Sequence, residues 1–442
     1  MAAHPSSEGP QMLTAAEAAE RLGVKLGTLY AYVSRGWLKS YKRKVGREAL
    51  YRRADIEALR GVSIPERGRR ARSLPYASSW VTIAQPAAEG APSGVIVAES
   101  AVSSIIEGRL AYRGYPIEEL VERASFEEVC LLLWEGERPS RAKTEALRAQ
   151  VAAAEVPPAV AAALTAAGAD APPLLRLAAA MPALAASERH GPVRSSDERA
   201  RTIIGLIPLV LAKASAYRAV EPGRQGLAVR LLEGLCGEAP PWARIATDRI
   251  LVACAEHELN ASTFAARVVA STGADLYASV LAALCSLSGP IHGGACDRIE
   301  LMLAQLDDGL SLTAVLESFS GQNLLPPGFG HAIYAHGDPR AVLLKQVAGE
   351  IARHRHRRIY ELALKIEEAV WKRERLRPNL DFYLTVCVRM LGFPAGLPAG
   401  VFALGRTAGW IAHSLEQYAD NRLIRPRMRY KGSPLRHWDP LP

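Results

Sequence analysis

Cysteine is sparse in this chain: six among 442 residues, none in a CxxC pair or at the spacing of a zinc site. A disulfide framework and a structural zinc are therefore excluded as the basis of the fold. Cys130, Cys236, Cys254, Cys285 and Cys387 read as free thiols serving packing, with Cys296 set apart because it sits inside a glycine-rich motif. Long apolar runs are also missing. None approaches the roughly 20 residues needed to span a bilayer, so no membrane association is expected. The opening "MAAHPSSEGP" has neither a basic n-region nor an apolar h-region, which gives a cytoplasmic expectation.

What is present is ordinary for a globular protein, with 49% hydrophobic and 22% charged residues. The length favours two or three domains of roughly 100 to 200 residues each. The formal charge of +9 is unevenly placed. Residues 25 to 72 hold 14 Lys or Arg against 4 Asp or Glu, which is +10 and leaves −1 for everything else. A basic excess confined to one block points to a polyanion-binding module joined to a body that needs no such field.

That block, residues 11 to 62, begins with a capping-box pattern, Thr14 and Glu17, ahead of an Ala-rich helix running to about Leu22. A second helix follows "GVK", with Leu26, Leu29 and Val33 on one side and Lys25, Thr28, Tyr30 and Arg35 facing outward. "YKRKVGREALYR" alternates strand formers around a glycine turn, as a basic wing would. The segment resembles winged helix-turn-helix domains of the MerR and excisionase type. That resemblance implies contact with double-stranded DNA, whose backbone the local charge suits. A small capping or dimerisation module with a solvated basic face is the alternative.

Residues 63 to 79, rich in Pro, Gly, Ser and Arg without periodicity, read as a linker. Beyond them helical patterning dominates and the fold class is mostly α. The Pro-punctuated stretch 157 to 187 predicts short packed helices, Ile359, Leu362, Ile366 and Val370 recur at helical spacing, and one short hairpin is expected around "SGVIVAESAVSSIIEGRLAYRG".

Five short stretches carry chemistry. In "PPGFGHAIYAHGDPRA", Asp338 suits an N-cap and Pro339 the first helical position, so Arg340 projects from a helix start that favours anions, with His331 beside it. "GPIHGGACDRIELML" puts His292 at a Gly-rich helix entry, before an amphipathic helix bearing Ile299, Leu301, Met302 and Leu303. The positive helix end would keep that imidazole neutral and able to donate to an enolate oxygen. "RPNLDFYLTV" sets Asp381 among apolar neighbours, where lost hydration raises its pKa into the range of a general base. "VFALGRTAGWIAH" places Arg406 on the face of Phe402 and Trp410, which demands an anionic partner from the protein or a ligand. "CAEHELNASTF" puts His257 at a helix junction that Asn260 or Ser262 can cap. Each stretch alone also has a bland reading: a surface pair, a turn aspartate, an internal ion pair, a core histidine. Together they provide histidines, arginines and an apolar carboxylate, without a metal motif, nucleophile elbow or phosphate loop. That list suits joining a carbon acid to a dianionic keto compound.

In this order and spacing, "HELNAST", "GPIHGGA", "PGFGHAIY", "NLDFY", "GRTAGWIAH" and "NRLIRPR" resemble citrate synthase from about residue 80 onward. The resemblance implies an all-α homodimer with a large domain (80–293 and 393–442) and a small domain (294–392) that close over oxaloacetate and an acyl-CoA. No cofactor or metal is implied, since the CoA thioester is itself a substrate. His292, His331 and Asp381 would be catalytic. His257, Arg340 and Arg406 would bind oxaloacetate, with Arg425 reaching in from the second subunit. Propionyl-CoA, giving 2-methylcitrate, competes with acetyl-CoA as donor, and a non-catalytic, metabolite-sensing transcriptional regulator is the rival from another class. Two departures stand out. Ala335, followed by His336, falls where many relatives carry a cation for CoA phosphates, with His336 or the run Arg353 to Arg358 as replacements; Cys296 replaces a frequent Asn.

Overall fold

A computed structural model describes residues 12–22, 24, 26–34, 38, 40–42, 49–53, 56, 98–168, 170–188, 194–212, 226–290, 292–321, 324–334, 336–426 and 430–434. The expectations for Lys25, Arg35, Ala335 and the 63–79 segment lie outside these residues, as does the side chain of Thr28. The chain divides between Ser73 and Leu74 into two units.

In the first unit, Thr14 caps the helix Ala15–Leu22 reciprocally. Its N–H and hydroxyl donate to Glu17 Oε2 at 2.8 and 2.9 Å, and the Glu17 N–H donates back to Thr14 Oγ1 at 3.4 Å. The second helix, Leu26–Ser34, buries Leu29 and half-buries Val33, while Tyr30 is exposed. Leu26, expected on the inner face, is exposed at the first helical position. The wing forms as Tyr41–Lys42 against Ala49–Arg52. A third strand, Met12–Thr14, pairs antiparallel with the far edge of Ala49–Arg52, too short to leave an alternating pattern in the sequence. Leu13, Ala18, Ala19, Leu29, Leu38, Tyr51 and Ile56 make the core.

The second unit is mostly helical. Its hairpin, Ser103–Ile106 with Arg109–Tyr112, turns through Glu107 and Gly108, both at positive φ (51° and 75°), which matches the right-handed strand twist. The Pro-punctuated stretch becomes Pro158–Ala167 and Pro173–Glu188. The organising element is Pro398–Asp420, whose residues from Pro398 to Ser414 are all buried. It packs against Phe126–Glu135, Ser196–Leu211, Pro241–Cys254, Ala261–Ala270, Leu276–Leu287, Gly294–Asp307 and Leu380–Leu391. A helix buried on every face has no solvent side to fill with charge, so the one arginine along that stretch needs a reason. Two inward expectations fail at the surface. Leu301 is 62% exposed, because the buried face of Gly294–Asp307 runs through Ile299, Met302 and Leu303, and Cys285 is exposed.

Candidate active site

Two helices begin at one carboxylate. Asp338 caps Pro339–Ile351 by accepting the Arg340 N–H at 3.0 Å, and its other oxygen accepts the N–H of Leu380, first residue of Leu380–Leu391, also at 3.0 Å. The loops before these helices are stitched together. Gly330 N–H donates to Arg377 O (2.8 Å), Asn379 N–H to Gly328 O (2.9 Å), and Asn379 Nδ2 to Gly330 O (3.1 Å). Gly328 must be glycine: its φ is +84°, and a Cβ would lie 2.8 Å from Phe382 Cβ and 2.9 Å from Ile299 Cδ1. His331, Arg340 and Asp381 are thereby fixed in one neighbourhood by backbone.

Arg340 is 3% exposed, and its Nε and Nη2 donate to the two oxygens of Asp338 at 2.9 and 2.8 Å. One edge of the expected carboxylate fork is therefore held by the protein's own acid, and Nη1 is left for a ligand. His331 Nδ1 accepts the Ile333 N–H at 3.1 Å, which fixes the proton on Nε2 and makes that nitrogen a donor. Its ring meets His257 edge-on at 5.2 Å between centroids, and Tyr334 at 4.7 Å. His257 Nε2 shares a 3.0 Å hydrogen bond with Tyr334 OH.

Arg406 is buried to 1% exposure with no carboxylate within ion-pair distance among the described residues. Its Nε donates to Cys254 O at 2.8 Å, and its guanidinium lies 4.7 Å over Phe402. Its position follows from the glycines around it. A Cβ on Gly405 would sit 2.6 Å from Cys254 Cβ, and one on Gly409 would sit 2.1 Å from Glu256 Oε2. Only a glycine stripe lets the long helix press Arg406 against residues 254 to 256. The buried Glu256 carboxylate offsets this charge only through space; a guanidinium buried so deeply without direct carboxylate contact is costly, and an anionic ligand would relieve it.

His292 hangs on Ser262. Its Nε2 lies 2.9 Å from Ser262 Oγ, which accepts Trp410 Nε1–H at 3.1 Å and donates its proton to Asn260 Oδ1 at 2.8 Å. Asn260 in turn caps Ala261–Ala270 by accepting the Thr263 N–H. The bond to Asn260 spends the one hydroxyl proton and leaves His292 Nε2 as donor to Ser262; turned onto Nε2 instead, the hydroxyl would leave the imidazole proton on Nδ1. One turn along from His292, the Cys296 thiol faces Asp381 Oδ1 at 3.8 Å. Asp381 is the second residue of its helix, whose cap is Asn379.

Electrostatics separates acid from bases. Burial first, then Arg406, pushes His292 down to about 4; burial rather than the helix end is the main cause. Burial, then Arg340 and Arg406, hold His257 well below the usual imidazole range, and burial with Arg340 lowers His331. Three neutral imidazoles result at pH 7. Burial raises Asp381 to about 6, with Arg340 and Arg406 opposing and Asp338 adding to the rise.

Arg425 stands apart, exposed in the segment after the long helix, where the neighbouring Ile424 N–H bonds Ser271 Oγ. Composition and motif reasoning passed over Tyr334 and Asp338's second cap, and treated Ser262 only as a helix cap. It also missed Glu256, fully buried, which bonds Ser103 and His413 at 3.0 and 3.1 Å. The signal available was position, since Tyr334, Ser262 and Glu256 lie inside the same short stretches as His331 and His257.

A base near pH 6, an Nε2–H donor, a second neutral imidazole and two buried guanidiniums can deprotonate a weak carbon acid and activate a ketone between carboxylate clamps. Comparison with known proteins agrees. Residues 91–427 match the family model "Citrate synthase, C-terminal domain", and residues 12–60 match "Helix-turn-helix domain". The chain is 36% identical over 360 residues to citrate synthase 2 of Bacillus subtilis (79% of this chain, 97% of that protein). It is 31% identical over 366 residues to 2-methylcitrate synthase 2 of Corynebacterium glutamicum (79% and 96%). Among solved structures, a ternary complex of Thermoplasma acidophilum citrate synthase with carboxymethyl coenzyme A and oxaloacetate superposes with a TM-score of 0.70 at 27% identity, covering 78% of this chain and 96% of that one.

Proposed function

The chain belongs to the citrate synthase family, and from that premise we propose that it condenses acetyl-CoA with oxaloacetate to citrate and CoA. The observation carrying this is the pairing of a carboxylate near pH 6 with imidazoles held neutral around two buried guanidiniums. Asp381 takes a proton from the acyl methyl, and His292, once the Ser262 hydroxyl turns from Asn260 onto Nε2, donates Nδ1–H to the enolate oxygen. The nucleophilic carbon attacks the ketone of oxaloacetate, polarised by Nε2–H of His331. His257, Arg406 and the free Nη1 of Arg340 hold its carboxylates, and Arg425 serves the partner's site in a homodimer. Water then cleaves citryl-CoA. No cofactor is needed by this family. Residues 294 to 392 act as a small domain closing on the rest, so that His292 sits at the hinge and the base is completed only once oxaloacetate is bound.

Next to His331 lies a cleft of about 380 Å³ lined by His336, Trp371, Arg375 and Arg377, with the Arg377 guanidinium 3.9 Å over the Trp371 ring. We assign it to the CoA nucleotide. Its cations take the place of the one absent at Ala335, and of the proposed replacements His336 lines it, whereas Arg353 to Arg358 are not among its lining residues. Propionyl-CoA is the second reading, favoured by the 2-methylcitrate synthase relative. One methylene in an apolar pocket is worth only about 1–3 kcal/mol. The helix-turn-helix module is assigned duplex DNA, giving a cytoplasmic enzyme with a regulatory face. Thiol release from each acyl-CoA with oxaloacetate tests the reading: release with one or both is expected, and release with neither contradicts it.

A further inference from the structure

On the premise that Asp381 is the base of that reaction, we propose that Cys296 is its positioning residue, a buried thiol that orients the carboxylate from the helix that follows His292. Cys296 is fully buried, four residues after His292, on Gly294–Asp307, which packs directly on Leu380–Leu391. Its Sγ lies 3.8 Å from Asp381 Oδ1, and among the described residues it is the side-chain donor recorded to that carboxylate. Thr385, one turn beyond Asp381, donates its hydroxyl to the Asp381 main-chain oxygen at 2.8 Å. The thiol–carboxylate contact thus links the helix that follows His292 to the helix of the base. Burial, reinforced by the Asp381 charge, keeps the thiol protonated, so it acts as a donor rather than as a thiolate.

A thiol is a weak donor with a long, soft contact. It fixes the direction of the carboxylate while withdrawing little of the basicity that burial creates. An amide N–H at the same place would pull charge more strongly, and a methyl would withdraw none. The shorter C–O bond of a serine would leave its hydroxyl short of Oδ1.

The experiment uses the full chain and two readouts: the acid limb of kcat/KM, and a 13C NMR titration of the Asp381 carboxyl assigned with Asp381→Asn. Cys296→Ala and Cys296→Ser should each move the acid limb and the NMR midpoint up by about half a pH unit, with kcat reduced and KM for oxaloacetate unchanged. Cys296→Asn should move both down. Folded variants whose limb and midpoint stay at the wild-type values overturn the proposal, and serine, the closest isostere, keeps the test available if alanine fails to fold. Absence of turnover in the wild type would defeat the reaction, while the NMR titration would still decide the Cys296 contact.

Discussion

The two units of this chain use charge in opposite ways. Residues 25 to 72 carry +10, in a unit whose described residues include seven buried apolar side chains, and the remainder of the chain sums to −1. The body keeps its decisive charges inside: Arg340, Arg406 and Asp338 are each at most 3% exposed. Surface charge acts at a distance and is screened by salt, with a Debye length of about 8 Å at physiological ionic strength. Buried charge is little screened and is governed by desolvation, so it answers to pH. One protein therefore should respond to salt at one end and to protons at the other.

The sharpest way to break the contrast is Asp381→Asn. Turnover should drop by at least ~10²-fold, equally at low and high salt. The folded carboxyl titrates near 6 against its ordinary 3.8, so ionising it costs folding free energy. That cost is absent below the ordinary value and grows as pH rises through 6. The variant should accordingly melt higher at pH 8, by about 1–3 kcal/mol, with the gain fading toward pH 4, as calorimetry across pH would reveal. At the other end, duplex affinity should fall at least about tenfold when salt is tripled and vanish on deletion of residues 1–73, while turnover persists. Duplex binding that ignores salt would erase the distinction.

Two glycine substitutions sharpen the comparison on stability. Gly409→Ala drives a methyl into Glu256 and should cost about 3 kcal/mol in urea unfolding, with loss of activity. Gly27→Ala, in the second helix of the N-terminal unit, meets no heavy atom within 4 Å and should stabilise that unit by about 0.5–1 kcal/mol.

Much of the body was legible in the sequence because its rules are local. The capping of Asp338 and Thr14, the Glu107–Gly108 hairpin and the apolar setting of Asp381 all depend on neighbours within a few residues. Contacts made across the chain left no such trace. Asp338 holding the Leu380 N–H, Ser262 reaching His292, and Cys296 meeting Asp381 join residues 30 to 85 positions apart. The occupancy of one edge of Arg340 by Asp338 was equally invisible, since an arginine two residues after an aspartate reads as a cap followed by a free cation. Leu301 and Leu26 were misplaced for the opposite reason: periodicity reports the average direction of a helix face and misses its margins.

The central claim is that Arg340, Arg406 and the Nε2–H of His331 receive a keto-dianion. A crystal structure of the full chain with oxaloacetate tests this most directly. The account predicts the ketone oxygen on His331 Nε2, one carboxylate against Arg406 and the other against Nη1 of Arg340 with its Asp338 pair intact. Oxaloacetate bound elsewhere, with Arg406 still facing only Cys254 and Phe402, would contradict it.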